Sequence, residues 1–323
     1  MKHYLALTLL CLPMVSLAND STGFVGTGGI QYLKSPHIAM QTEDLFISKT
    51  QIRVDYQFKN LSQHDITETV LFPLPRVDDI EDSFADTEAL VRSFKIWVNG
   101  KAVQPKVHVR AFLYPVNQQG ERVNQPIDVT EILQRCGVSD ADLMGVWQRK
   151  EHMDNVRQKV VQCQAPKLRQ IHPKLSLENL DWATQIVYSW QQTFKAGEIT
   201  QVKHQYTPLL GGSLYFDASK DPKNRFYHQY CIDDSFRAEI QRRYQKRDLL
   251  YSALSYVLTT GANWAKPIGK FTLTIERDSN ELVSLCWDKS LKKVGANRFQ
   301  TVKHDFLPKR DLDIVFVQPY SQE

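Results

Sequence analysis

From Ile52 to Phe58 the chain places Ile52, Val54, Tyr56 and Phe58 out of phase with Arg53, Asp55 and Gln57. A period of two in which one phase is wholly apolar describes a β-strand with one dry and one wet face. Residues 60–65 form a polar turn, after which Ile66, Val70 and Phe72 resume the apolar phase. Pro73 and Pro75 stop this second strand, because proline brings no N–H to a ladder and fixes its own φ. The pattern predicts a hairpin anchoring a β-domain.

The same period recurs along most of the chain. Residues 30–33 and 38–47 read as strands, with Glu43 and Asp44 at a turn or on the wet face. Val91, Phe94, Ile96 and Val98 read as another, followed by an Asn99-Gly100 hairpin turn and a return over residues 103–114. From Asp128 the period becomes helical. Asp128 is placed to cap, with Glu131 completing the box, Ile132, Leu133 and Cys136 forming the stripe and Gly137 closing. Helices are also expected from Ser139 or Asp140 and over residues 153–163, and strands resume at residues 183–194 and 202–208. A helix capped by Asp234 runs to about residue 247, and further strands fall at residues 251–259, 271–275, 282–286, 298–302 and 312–317. The expected fold is mostly β, two antiparallel sandwich-like units with an inserted helical segment and one later helix. Its divisions are a signal peptide at 1–18, a β-sandwich at 19–125, a helical insert at 126–182 and a β-unit at 183–323 with its helix near 234–247.

The signal peptide rests on the first residues. Lys2 and His3 precede an almost wholly apolar run from Tyr4 to Val15, and Ser16-Leu17-Ala18 supplies the small residues that place cleavage after Ala18. The run is too short to anchor in a bilayer, and no later segment has the roughly 18 uncharged apolar residues of a membrane helix. The expected location is periplasmic or secreted. Loss of Lys2 takes the formal charge from +4 to +3, a scattered excess that does not point to nucleic acid. Cleavage also removes Cys11 and leaves Cys136, Cys163, Cys231 and Cys286, an even number as in disulfide-bonded exported proteins. Four cysteines allow three pairings. Cys136 and Cys163 share the helical segment while Cys231 and Cys286 flank the last part of the chain, which favours those two bonds. A zinc site is the rival, but no pair has the close spacing such sites use.

Three polar clusters are candidates for binding: Asp233-Asp234 beside a cysteine, Asn263-Trp264 in a loop, and Asp305 with Arg310-Asp311 around Pro308. A Cys231–Cys286 bond can bring the first two together as a cleft with a tryptophan platform and amide and carboxylate hydrogen bonds. The structural alternative has Asp234 as a helix cap, Asn263 in a turn, Trp264 in the core and Arg310-Asp311 as a surface pair. Other features are read as scaffold. Residues 19–29, ending Gly26-Thr27-Gly28-Gly29, lead into a strand and read as a flexible leader, and the acidic stretch 78–88 lacks the Asp-x-Asp-x-Asp-Gly frame of a calcium loop. Arg237, Arg242, Arg243, Lys246 and Arg247 form a basic helix face, read as solvated with anionic lipid as the alternative. Gly211-Gly212-Ser213 is not a nucleophile elbow. The histidines stand singly, and only in three dimensions can His204, His228 and Asp305 converge on a metal. No catalytic residue, metal or cofactor is assigned.

Phe72-Pro73-Leu74-Pro75, ending an alternating strand, resembles the VIT module of inter-alpha-trypsin inhibitor heavy chains, over roughly residues 45–114. In those proteins a von Willebrand A domain with a D-x-S-x-S metal site follows. Here the nearest stretch is Asp233-Asp234-Ser235-Phe236-Arg237, so metal-dependent adhesion is not implied. The mature chain as a whole resembles a family of exported bacterial proteins of unknown function. The shared marks are Asn19-Asp20-Ser21, Gly28-Gly29, Thr42 to Leu45, FPLP, Cys231-Ile232-Asp233-Asp234, Thr260 to Trp264, and Asp305-Phe306 with Arg310-Asp311-Leu312. That resemblance implies an exported β-rich protein and no chemistry. The function expected is a non-enzymatic binding or assembly module of the cell envelope with a protein or glycan partner; a carbohydrate-binding protein and a hydrolase are the alternatives.

Overall fold

A computed structural model describes residues 20–26, 29–77, 87–117, 122–123, 125–144, 150–171, 176–177, 180–213, 215–216, 225–245 and 247–320. The expected signal segment and most of the acidic stretch 78–88 lie outside the described residues, as does Lys246. In chain order the first strands are β1 (Ser21–Gly26), β2 (Gly29–Leu33), β3 (Ile38–Ile47), β4 (Ile52–Asn60) and β5 (Ile66–Pro73). Helix α1 (Thr87–Ser93) precedes β6 (Lys95–Val98), β7 (Lys101–Val103), β8 (Lys106–Leu113) and β9 (Ile127–Asp128). Helices α2 (Thr130–Arg135), α3 (Asp140–Met144), α4 (Lys150–Cys163) and α5 (Pro166–Ile171) come next, then β10 (Ala183–Phe194), β11 (Ile199–Tyr206) and β12 (Gly211–Ser213). Helices α6 (Arg225–Gln229) and α7 (Asp234–Tyr244) lead to β13 (Leu249–Tyr256), β14 (Ile268–Glu276), β15 (Leu282–Leu285), β16 (Lys292–Lys293), β17 (Arg298–Phe306) and β18 (Leu312–Pro319). The fold is mostly β, as the alternation predicts.

The described strands form three sheets, with orders β2-β1-β5-β10-β8-β9, β16-β17-β14-β3-β4-β11-β6-β7 and β12-β13-β18-β15. Strands 52–60 and 66–73 are therefore not a hairpin: β4 lies in the eight-stranded sheet and β5 in the six-stranded one. Asn60, fully buried at the crossover, explains the change of sheet. Its Nδ2 donates to the carbonyls of His64 and Phe194, and its Oδ1 accepts from the Ser62 N–H. The polar turn is thus spent on carrying the chain across the core. Two further expectations change. Within the expected leader Ser21–Gly26 is a strand, β1, paired with β2, and Val91 belongs to helix α1, so only Lys95–Val98 is strand. The Asn99-Gly100 turn has positive φ at both residues, 47° and 77°, as its type requires.

The inner faces meet in one core. Val54, Tyr56 and Phe58 of β4 and Leu273 of β14 pack with Phe72 of β5, Tyr188 and Trp190 of β10, Tyr256 of β13 and Phe316 of β18. Strands from both sides of the helical segment share sheets, since β10 sits between β5 and β8, and β14 pairs in parallel with β3. Helices α2 to α5 close over β8 through Val109, Ala111, Leu133, Val160 and Leu168, and Cys136–Cys163 ties α4 to the end of α2. A second helical cover, Ile240 and Tyr244 of α7, packs on Val315 and Val317 of β18. Cys231–Cys286 joins the turn before α7 to the end of β15. Both expected disulfides are present.

On β3 the alternation breaks once. The pairing with β4 skips Gln41, a bulge between Met40 and Thr42. Before it Ile38 and Met40 face the core; after it Glu43, Leu45 and Ile47 do. A single inserted residue reverses the faces of everything that follows. Gly269 makes room for this bulge, because a Cβ there would stand 2.7 Å from the Gln41 carbonyl oxygen.

Candidate site: the open face of the eight-stranded sheet

The bulge turns Thr42 and Asp44 outward, and the neighbouring strands bring matching residues beside them. Thr272 on β14 is the register partner of Asp44, Asp44 of Asp55, Asp55 of Lys203 on β11, and Lys203 of Trp97 on β6. Strands lie about 4.8 Å apart, so these five form one continuous row across the sheet. A second row runs Lys270, Thr42, Gln57 and Gln201. The rows floor an open groove of about 670 Å³, which Gln205 also lines. Each of these residues is half-buried or exposed, while their strand neighbours in the other phase, such as Leu45, Val54 and Leu273, are in the core.

Charges in the groove are balanced and unevenly satisfied. Asp55 is held 3.6 Å from both Arg53 and Lys203. The Asp44 carboxylate has no side-chain hydrogen bond or ion pair among the described residues. Partial burial, reinforced by the Asp55 carboxylate, pushes its pKa above the usual carboxylate value, against the pull of Arg53 and Lys270. Placing two carboxylates opposite each other on antiparallel strands is destabilising, so the pair is unfavourable for the fold alone. Trp97 makes no ring contact with another aromatic side chain among the described residues and stays half-buried at the end of its row.

Residues expected from sequence to form a site are drawn into the scaffold instead. Trp264 is 1% exposed, packs on Phe58 and Phe194, and donates its indole N–H to the Asp20 carbonyl at 2.8 Å. It is no platform. Asn263 donates to the Ser21 hydroxyl and so fastens β1 to the same turn. The helix cap is Asp233, not Asp234: its carboxylate accepts from Phe236 N and from the Ser235 hydroxyl, and this lowers its pKa. Asp234 pairs with Arg237. Asp311 accepts from the backbone of Leu258 and Thr259 and from the Thr259 hydroxyl, which brings it to the turn that ends in Asn263. Arg310 reaches the Gln229 carbonyl, and Asp305 is exposed on β17 at φ 48°. Basic residues of α7 are engaged locally, Arg242 with Glu239 and Arg243 with the Ser279 and Glu281 carbonyls. His204 is buried beside Asp20, His228 ends α6, and among the described residues no three His, Cys, Asp or Glu side chains are grouped to hold a metal.

The groove residues escaped sequence reasoning because they come a few at a time from five strands that only the sheet brings together. One local signal exists: Trp97 is a large aromatic residue in the polar phase of Phe94, Ile96 and Val98.

A family model described as Domain of unknown function (DUF4424) matches residues 18–315. The chain belongs to this family. No curated protein matches it in sequence. Among solved structures, this chain is similar to a candidate nutrient-binding protein of Legionella pneumophila subsp. pneumophila str. Philadelphia 1. The identity is 15% and the TM-score 0.44, over 92% of this chain and 69% of that one. It is also similar to an M1 zinc metallopeptidase of Deinococcus radiodurans, at 9% identity and a TM-score of 0.28, over 89% of this chain and 44% of that one. The chain thus spans less than half of the metallopeptidase, and neither likeness bears on what this chain binds.

Proposed function

We propose that this is an exported, non-enzymatic binding protein of the cell envelope whose contact surface is the open face of the eight-stranded sheet. The observation that carries the reading is the in-register row Thr272, Asp44, Asp55, Lys203 and Trp97. It keeps an opposed carboxylate pair, unfavourable for the sheet, and a half-buried indole on an open surface, and retained local cost of this kind marks functional surfaces. Two disulfides suit an oxidising compartment, in keeping with export. The sequence candidates Asp233, Asp311 and Trp264 serve as cap, turn anchor and core.

Two measurements test this. The intact mass of protein from the periplasmic fraction should correspond to a chain beginning at Asn19. A photo-crosslinking residue at Gln57 or Lys203 should capture a discrete envelope component, while the same residue at Gln191 or Thr193, exposed on the six-stranded sheet, should not. Equal capture at all four positions, or none in the groove, overturns the assignment of the surface.

A further inference from the structure

We propose that the ligand of the groove is a neutral, hydroxyl-rich chain, an oligosaccharide laid across β14, β3, β4, β11 and β6; this rests on the binding reading above. The first argument is charge. On its open face the lining carries Asp44 and Asp55 against Lys203 and Lys270, while Glu43 is buried on the core side of β3. A polyanion would meet the opposed carboxylates at the centre of the row, and a polycation would meet an ammonium on either side of them. Neither sign of polymer is complemented.

The second argument is hydrogen-bond type. A sugar hydroxyl both donates and accepts, so it is satisfied by a surface that interleaves the two roles. Along the rows, carboxylates that only accept stand next to ammonium groups that only donate. Gln57, Gln201 and Gln205 can do both, and Thr42 and Thr272 add hydroxyls. A peptide backbone would instead seek an unpaired strand edge, and the groove lies on a face whose strands are paired on both sides.

The third argument is apolar. A sugar ring has a C–H face, and the half-buried indole of Trp97 offers a flat partner for it at one end of the row. Asp55, fixed between Arg53 and Lys203, is preorganised, whereas Asp44 keeps its acceptor capacity for a ligand. The volume, about 670 Å³, lies in the ordinary range for small-molecule sites.

Calorimetric titration of the mature, disulfide-bonded protein with linear oligosaccharides of glucose, N-acetylglucosamine and mannose decides the matter. The expected result is saturable binding of at least one series, weakened roughly tenfold or more in Trp97→Ala and in Asp44→Ala, with each variant shown by its melt to be folded at the titration temperature. Binding that persists in both variants overturns the site. Failure of all three series, or preference for an acidic polysaccharide, overturns the ligand class. If the crosslinks from Gln57 and Lys203 still form while all three series fail, only the saccharide is lost and the binding surface stands. If the crosslinks fail too, both go.

Discussion

Nε2 of His204 lies 3.6 Å from Oδ2 of Asp20, and both side chains are fully buried. Tyr56, Phe72, Phe94 and Trp190 turn their rings edge-on to the imidazole. Burial drives both groups toward their neutral forms. It lowers the pKa of His204 from 6.5 to about 3 and raises that of Asp20, to which the nearby Glu43 adds. The two act on stability with opposite signs. His204 contributes fully above pH 6.5, and its contribution is lost as pH falls from 6.5 toward 3. Asp20 contributes fully below 3.8 and loses that contribution as pH rises through its folded value. Acid lability beginning near pH 6.5, with a slope of up to about 1.4 kcal/mol per pH unit, is therefore expected from the histidine. His204→Phe, which suits the aromatic surroundings, should flatten that limb in urea titrations run between pH 7.5 and 4.5. An equally steep limb in the variant would place the lability elsewhere.

Trp264 is the link between β1 and the rest of the core. Its indole N–H reaches the Asp20 carbonyl while its rings rest on Phe58 and Phe194. Trp264→Phe keeps much of the packing and removes the donor, at a cost of about 1–3 kcal/mol, and Trp264→Ala should cost about 3–5 kcal/mol. Hydrogen exchange in Ser21–Gly26 should quicken more than in β4. Uniform quickening would mean that Trp264 stabilises the whole core and has no particular hold on the first strand.

Gly269 connects the backbone to the groove. A Cβ at this position would meet the carbonyl of the bulged Gln41 at 2.7 Å, and backbone cannot move aside cheaply. Gly269→Ala should destabilise by about 1–3 kcal/mol. It should also perturb the backbone shifts of Thr42 and Asp44, which the bulge turns outward, before those of β18. A variant with wild-type stability would show that the bulge can relax, and that Gly269 does not set the site.

These relationships show what the sequence could and could not reveal. The two-residue period placed β4, β10 and β14 closely, because burial of one face is written into every second residue. Strand partnership is not so written. The turn after β4 looked like a hairpin because nothing local tells that Asn60 will hold the Phe194 carbonyl, 134 residues away. Glu43 and Asp44 looked alike, yet the bulge at Gln41 sends one into the core and the other to the groove. Trp264 was open to two readings, platform or core, because its partner, the carbonyl of Asp20, lies at the far end of the chain. The groove is distributed across rows of the sheet, so its chemistry exists only after register is set.

Asp44 is where that register leaves a cost. It faces Asp55 directly, and partial burial with the neighbouring carboxylate holds its pKa above the ordinary value. A raised folded pKa means that the contribution to stability is present below 3.8 and is lost as pH rises through the folded value, so at neutral pH the ionised group opposes folding. Asp44→Asn removes the repulsion while keeping shape, and should stabilise the protein by about 0.2–1 kcal/mol at pH 7. The gain should vanish below about pH 4, where the wild-type carboxyl is itself neutral. A substitution that improves the fold and weakens ligand binding would fit a residue kept for contact. Paired urea melts at pH 7 and pH 3.5 measure the first effect. A destabilised Asp44→Asn at pH 7 would show that the carboxylate serves the scaffold, and would remove the argument that the row exists for a ligand.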